Sequence, residues 1–306
     1  MCSKTSLTFL ALISIVACVN GQALGFEFDC LYEDATILDI FGYTCTLTDI
    51  DYDFSSPFYF IRVGGEHLEG RTNADVINLR IRNSTINRIP ANIFNVFPNV
   101  EGLEVINCGT INFIPPDFYF ADRLREVYIA DNNITTLGNS AFTFAFNIEI
   151  LILYQNQMNS LGPNPFINLG RATFVSIENN NITVLTPRML RPLLSLKNFV
   201  ASGNRIEELE GRMFANNPDL ELAHFERNNI RAIGPSFLNI NPNLESLRLS
   251  GNACIDGNFD NVTLTAIREA LGECFRNSPW GTQVSLTVVG SLSIFDENDN
   301  LITRIE

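Results

Sequence analysis

One period constrains this chain more than its composition does. From Ser84 onward a residue of one kind of position recurs at Cys108, Asn132, Asn156, Asn180, Asn204, Asn228 and Asn252, each 24 residues after the last. Around each lies the same spacing of apolar residues, as in Leu124, Val127, Ile129, Ile134 and Leu137, or Leu196, Phe199, Ala201, Ile206 and Leu209. The pattern LxxLxLxxNxLxxL in unbroken phase means one supersecondary unit repeated. A unit of that size cannot bury its apolar face alone and becomes stable only when stacked on its neighbours. The phase predicts eight such units over 76–252.

Within a unit each position answers a physical need. Positions four and six, such as Val127 and Ile129 or Leu151 and Leu153, alternate with their neighbours as a short strand does and point inward. Stacking pairs these strands into a parallel sheet with one open, concave face. At position nine the chain turns away and leaves interior backbone groups that water cannot reach. An Asn amide both donates and accepts, so it can satisfy turns on either side of it. Ser84 does this in part and Cys108 weakly, and the Cys108 unit also moves its next apolar residue to Ile111. Position nineteen holds Phe94, Phe118, Phe142, Phe166 and Phe214, with Leu190 and Leu238 in two units, and these fill the convex side. The fold class is therefore an α/β solenoid, a horseshoe with a parallel concave β-sheet and a short helical or irregular convex side.

Residues 1–21 read as a secretory signal peptide, with Lys4 as the basic start, an apolar run over Leu7–Val19 and a small-residue cleavage site at Val19, Asn20 and Gly21. The run is shorter than the roughly 20 residues of a spanning helix. No later stretch reaches that length, and Asp296–Glu306 is too charged for a lipid-anchor tail. A soluble, secreted, extracellular product with no membrane span is expected. That compartment is oxidising, and cleavage leaves Cys30, Cys45, Cys108, Cys254 and Cys274. The economical pairing is one disulfide on each side of the array, Cys30 with Cys45 and Cys254 with Cys274, although four cysteines allow three connectivities. Each such loop closure stabilises by about 3 kcal/mol. Cys108 is left over, and a buried thiol behaves as a small hydrophobe. Sequons at Asn83, Asn133, Asn181 and Asn261 are candidate glycosylation sites.

The segments flanking the array, YTCTLTDIDYDFSSPFYFIRVGGEHLEGRTNADVINLRI before it and GNACIDGNFDNVTLTAIREALGECF after it, resemble the caps of the extracellular, 24-residue class of leucine-rich-repeat proteins. The secreted arthropod members are the more similar. The likeness covers 30–274. It implies a curved horseshoe with a recognition face, disulfide-closed caps at 22–75 and 253–276, and roles in immune recognition, adhesion or receptor signalling. It does not imply an enzyme. Each cap here has two cysteines where many members have four, and with no membrane span or signalling domain a receptor role of the Toll type is not expected. The remaining segment, 277–306, alternates apolar and polar residues around Asp296–Asn300 and reads as a β-hairpin. It either extends the cap or offers an edge for self-association.

Positions three, five and seven of each strand face the concave side. The middle of that face is apolar and aromatic, with Tyr128, Ile150, Ile152, Tyr154, Phe174, Val200 and Leu222. Charges flank it: Arg80, Arg82, Glu104 and Glu126 toward one end, and Glu178, His224, Glu226 and Arg248 toward the other. An apolar centre with aromatic anchors and a polar rim is the anatomy of an interface, which makes the strip, with Glu178, His224 and Glu226, the candidate ligand-binding site. The expected function is binding of an extracellular protein or glycoconjugate through this face, in innate immune recognition or cell adhesion. The alternative is a structural or matrix protein that forms homo-oligomers through its C-terminal tail. A formal net charge of −14 disfavours nucleic acid and anionic lipid as partners. No catalytic residue, cofactor or metal is expected. His67 and His224 are the two histidines, neither lies in a metal-binding spacing or beside a nucleophile elbow, and no Gly-rich phosphate loop occurs. His224 and Glu226 face one way on a strand and form the single acid–base pair to be weighed.

Overall fold

The computed structural model describes residues 5–6, 14–16, 25–52, 60–90, 92–109, 115–238, 241–279, 292–295 and 301–305. Its centre is a single sheet whose strands follow one another in chain order. An antiparallel hairpin, β1 (Leu31–Ile37) and β2 (Ile40–Thr48), opens it. Eight parallel strands follow: β3 (Asn78–Arg82), β4 (Gly102–Ile106), β5 (Glu126–Ala130), β6 (Ile150–Ile152), β7 (Phe174–Ser176), β8 (Asn198–Val200), β9 (Leu222–His224) and β10 (Ser246–Arg248). The short antiparallel β11 (Asn258–Asp260) closes the sheet. Partners across the ladder are one period apart, Leu103 beside Val127 and Val127 beside Leu151, so the parallel β-solenoid makes about seven turns. The convex side carries single helical turns at Ile93–Val96, Pro115–Phe118, Pro187–Leu190 and Pro235–Leu238.

The core runs the length of the solenoid. Leu124, Val127, Ile129, Leu151, Leu153, Val175 and Ile177 are fully buried between sheet and convex turns. Phe94, Phe118 and Phe142 stack behind them with ring centroids 6.1 and 5.1 Å apart. Position nine behaves as its chemistry predicts. Asn204 Oδ1 accepts from the Ile182 amide at 3.0 Å, and its Nδ2 donates to the carbonyls of Ile177 at 2.9 Å and Ala201 at 3.1 Å. Asn180, Asn228 and Asn252 repeat the arrangement. Ser84 accepts from the Ile50 amide and donates to the Arg82 carbonyl. Cys108 offers only its thiol to the carbonyls of Ile81 and Ile106. It is the free cysteine and is buried, and burial pushes its thiol up to about 11, so it is a packed, unreactive group. Ile111 lies outside the described residues.

The residue before each position nine is a second constraint that the apolar pattern hides. Asn83, Asn107, Asp131, Gln155, Asn179, Gly203, Arg227 and Gly251 all have φ between 48° and 71°. Gly, Asn and Asp tolerate this left-handed conformation, whereas Gln155 and Arg227 adopt it against the Cβ clash. A smaller Asn stack also escaped the sequence reading. Asn217 Nδ2 donates to the carbonyls of Leu190 and Leu193, and Asn241 Nδ2 to those of Phe214 and Asn217, satisfying the convex turns from within.

Both ends are closed. Cys30, just before β1, is bonded to Cys45 in β2, and Cys254 to Cys274 in the helix Gly272–Arg276. The helix before that one, Leu264–Ala270, is capped by Thr263, whose hydroxyl accepts from the Ala266 amide. Of 1–21, the segment expected to be a signal peptide, the described residues are the short strands Thr5–Ser6 and Ser14–Val16; Ser14–Val16 pairs with Thr5–Ser6 on one side and Gly25–Asp29 on the other. In the tail, Leu292–Phe295 and Leu301–Ile305 pair antiparallel, as the expected hairpin requires, while its turn 296–300 lies outside the described residues. Among the described residues these two strands pair only with each other.

Asn204→Ala removes the acceptor bond and all the Nδ2 donor bonds from a buried site, and about 3 kcal/mol of destabilisation is expected. Gln155→Gly relieves the left-handed strain at an exposed position and is expected to stabilise by about 0.5–1 kcal/mol. Chemical denaturation of the two variants against the wild type checks both signs.

Candidate functional site

Alternation along the parallel strands sorts side chains between the core and the concave face. The core takes Val127, Leu151, Val175, Phe199 and Ala223. The opposite face takes Tyr128, Ile150, Ile152, Phe174, Val200, Leu222 and His224, with Tyr154, Glu178 and Glu226 just past their strands, and all ten are half-buried. Side by side at about 4.8 Å per strand, they make an apolar strip about 19 Å long from β5 to β9. Not every expected concave position is open: Ala130, Ser176 and Ser202 are buried. Burial, then Asp131 and Glu104, raises the phenol of Tyr128 above its ordinary range, so that ring is a neutral apolar floor.

The N-terminal end of the concave face differs from expectation. Arg80, Glu104 and Glu126 are not a solvated flank but are buried under the cap hairpin. Only Thr44–Thr48 of β2 pairs with β3, and the first residues of β2 pair with β1 alone. The overhanging half folds across the face. Asn78 Nδ2 donates to the carbonyls of Ala35 and Ile40, and Arg80 Nη2 to that of Thr36. Ile37, fully buried, rests over Gly102, where an added Cβ would stand 3.5 Å from the Ile37 Cβ and 2.3 Å from Asn78 Oδ1. At the tip the Asp39 amide donates to Glu126 Oε2 at 2.9 Å. Glu104 holds both Arg80 and Arg82, and Arg80 also reaches Glu33. The one signal of this in the sequence is Gly102, the single glycine at position three of the eight units.

The C-terminal end carries a hydrogen-bond chain. Ser246 Oγ donates to Asp260, and His224 Nε2 lies 2.9 Å from Ser246 Oγ. With its one proton directed at the carboxylate, Ser246 accepts from the imidazole, so His224 is no base for that hydroxyl. Arg248 reaches both Asp260 oxygens at 3.3 Å. Glu226 takes its hydrogen bond from Ser202 Oγ at 3.0 Å. The His224–Glu226 acid–base pair is therefore not formed. Burial, then Arg248, holds the His224 imidazole below its ordinary range, with Glu226 and Asp260 opposing. Burial lifts the Glu178 carboxyl, while Arg227 at 3.6 Å opposes. Among the described residues no group of three or more His, Cys, Asp or Glu is placed to hold a metal, and no helix is long and apolar enough to cross a membrane.

The four sequons lie away from the strip's floor. Asn83 and Asn133 are exposed on either side of position nine and accept hydrogen bonds from Asn107 and Gln157. Asn181 is half-buried, and Asn261 is exposed beyond β11. A feature that the sequence reading missed lies on the convex side, where Tyr119, Phe120, Phe144 and Phe146 are exposed together. The Tyr119 and Phe144 rings are 4.4 Å apart, and Phe120 is 65% exposed in a left-handed conformation.

A proton-binding test follows from the chain at the C-terminal end. His224 binds its proton less readily folded than unfolded, so its contribution to stability is complete above about pH 6.5 and declines as pH falls below that value. Its imidazole NMR shifts are expected to titrate below 6.5, and Arg248→Gln to move the midpoint upward; an unmoved midpoint would remove Arg248 as a cause.

Comparison with known proteins fits this geometry. Residues 122–182 match the family described as Leucine rich repeat, and residues 159–268 the BspA type Leucine rich repeat region. No match was found among curated proteins. Similar solved structures include the APL1 leucine-rich repeat domain, at 20% identity and a TM-score of 0.50, over 74% of this chain and 65% of that one. The LRIM1/APL1C complex contains a chain 22% identical with a TM-score of 0.55, over 75% of this chain and 43% of that one. The mouse RP105/MD-1 complex contains one 13% identical with a TM-score of 0.51, over 58% and 31%. The chain thus spans less than two thirds of the length of each of these relatives. Period, sheet and position-nine Asn ladder agree with the matched segments that 122–268 is built of leucine-rich repeats.

Proposed function

We propose that this protein is an extracellular binding module that recognises a protein partner through the concave strip between the cap hairpin and β10. The observation that carries the reading is the strip itself: Tyr128, Ile150, Ile152, Tyr154, Phe174, Val200 and Leu222 form one contiguous apolar surface that faces away from the core. Core packing does not require these side chains, since the inward positions of the same strands already fill the interior. Contiguous apolar surface with aromatic anchors supports a protein interface, and hot spots concentrate on such residues. Two of the structural relatives are described as complexes, LRIM1/APL1C and RP105/MD-1, which accords with a role in recognition. A disulfide in each cap accords with secretion, and on this reading residues 1–21 are removed as a signal peptide and the sequons at Asn83, Asn133, Asn181 and Asn261 carry glycans. Innate immune recognition or cell adhesion is the setting that fits.

The test is retention of partner from extracellular fluid by the wild-type chain and by a Tyr154→Ala/Phe174→Ala variant. Loss of the retained partner at an unchanged melting temperature is expected, because half-buried surface aromatics contribute to binding more than to the core. Equal retention by both chains overturns the reading.

A second reading, self-association, is favoured by the convex cluster of Tyr119, Phe120, Phe144 and Phe146, which is also an exposed apolar patch. Size-exclusion chromatography with light scattering decides it. A monomer is expected; a dimer abolished by Phe120→Ser/Phe144→Ser would install the second reading instead.

A further inference from the structure

The charge pattern around the strip is one-sided. Every arginine on the concave face is already engaged: Arg80 and Arg82 with Glu104, Arg227 with Glu178, and Arg248 with Asp260. Three carboxylates at its rim, Asp39, Asp131 and Glu226, have no cationic partner among the described residues; the Glu226 carboxylate accepts from the Ser202 hydroxyl. Their placement follows from the fold. Asp39 is exposed at the tip of the hairpin, where its own amide is fixed to Glu126 at the start of β5. Asp131 is exposed just beyond the end of the same strand, with its amide bonded to the Tyr154 carbonyl. Asp39 is thus held at the start of β5 and Asp131 at its end, on opposite rims with Tyr128 of that strand between them. Glu226 stands at the far end of the strip, past β9.

An apolar floor with unpaired negative charge at both rims and at one end selects its partner by complementarity. An acidic or purely polar surface would bring like charge against Asp39 and Asp131 or leave the aromatic floor unfilled. We propose that the strip takes a basic, amphipathic protein segment, its apolar side chains on Tyr128, Ile150, Ile152, Tyr154, Phe174 and Leu222 and its Lys or Arg side chains against Asp39, Asp131 and Glu226. This rests on the concave-face reading above and adds the chemistry of the occupant. The cap hairpin then has a second role. By carrying Asp39 onto the concave face it supplies one rim of the site, and it limits the site to the strands from β5 onward.

The probe is a synthetic helical peptide of about 14 residues, long enough at 1.5 Å per residue to cover the strip, with Leu at positions i, i+3, i+4 and i+7 and Lys at the polar positions. Two companions replace every Lys with Gln or with Glu. Binding to the full chain is read by calorimetry at low and at physiological salt. The Lys peptide is expected to bind at least tenfold tighter than the Gln peptide, the Glu peptide not to bind, and salt to narrow the difference. Asp131→Asn/Glu226→Gln is expected to weaken the Lys peptide about fivefold, the effect of losing two exposed ion pairs. Asp122→Asn/Asp219→Asn, which removes the same charge away from the strip, is expected to change it less than twofold. Equal weakening by the two charge variants would reduce the attraction to the chain's general acidity and overturn the proposal. So would a Gln peptide that binds as tightly as the Lys peptide; if its binding is still lost in Tyr154→Ala/Phe174→Ala, the concave-face reading survives. Lys-peptide binding untouched by Tyr154→Ala/Phe174→Ala would remove the concave-face reading itself.

Discussion

The structure depends on satisfying backbone polar groups that the turn after each strand leaves inside. A lone 24-residue unit has no answer to that requirement, because its interior carbonyls and amides belong to adjacent turns. The Asn side chain at position nine answers it across the unit boundary: one amide accepts from the preceding turn and donates both to that turn and to its own, as Asn204 does with Ile182, Ile177 and Ala201. Each unit is therefore completed by the next, which fixes the register of the sheet and the phase of everything it carries. The ladder is only partly met by the hydroxyl of Ser84 and the thiol of Cys108, in the first two units beside the cap, and by Asn156, whose Nδ2 donates to the Ile129 and Tyr154 carbonyls while its Oδ1 accepts nothing.

That register turns a one-dimensional sequence into two faces. Residues at alternate positions of β5–β9 pass either into the core or onto the concave strip, with no local choice left to the individual side chain. The ends of the solenoid then decide how much of the strip is available. At the C-terminal end Asp260 of β11 gathers Ser246 and Arg248 and, through Ser246, holds His224 as a donor. At the N-terminal end the hairpin occupies three strands' worth of concave surface, using Asn78, Gly102 and Glu126 as its seat. The polar chemistry of both ends thus serves the fold, and the uncommitted apolar surface lies between them.

Much of this was legible in the sequence because it is periodic. The eight strands, the inward positions, the Asn ladder and the shared face of the ten strip residues follow from phase and residue type, and the cap disulfides are the economical pairing of the three that four cysteines allow. What was not legible comes from interactions that break the period. The fold-back of the hairpin joins Asp39 to Glu126 and Asn78 to Ala35 and Ile40, contacts between residues far apart in sequence that no spacing rule connects. Its trace was a missing side chain, Gly102, which as a lone glycine in a strand column has several meanings. The left-handed position eight was hidden for another reason: Gly and Asn mark it in several units, but Gln155 and Arg227 adopt it because the ladder on either side dictates the backbone. The same override lets Phe120 stand exposed and left-handed on the convex side.

The central claim is that binding occupies the concave strip and not the convex aromatics. Radical footprinting of tyrosines tests it on one molecule, since Tyr128 and Tyr154 lie on the strip and Tyr119 on the convex cluster, 42% exposed. With partner bound, Tyr128 and Tyr154 should be protected from labelling while Tyr119 labels as it does in the free chain. Protection of Tyr119 with unchanged labelling of Tyr154 would place the interface on the convex side and contradict the account.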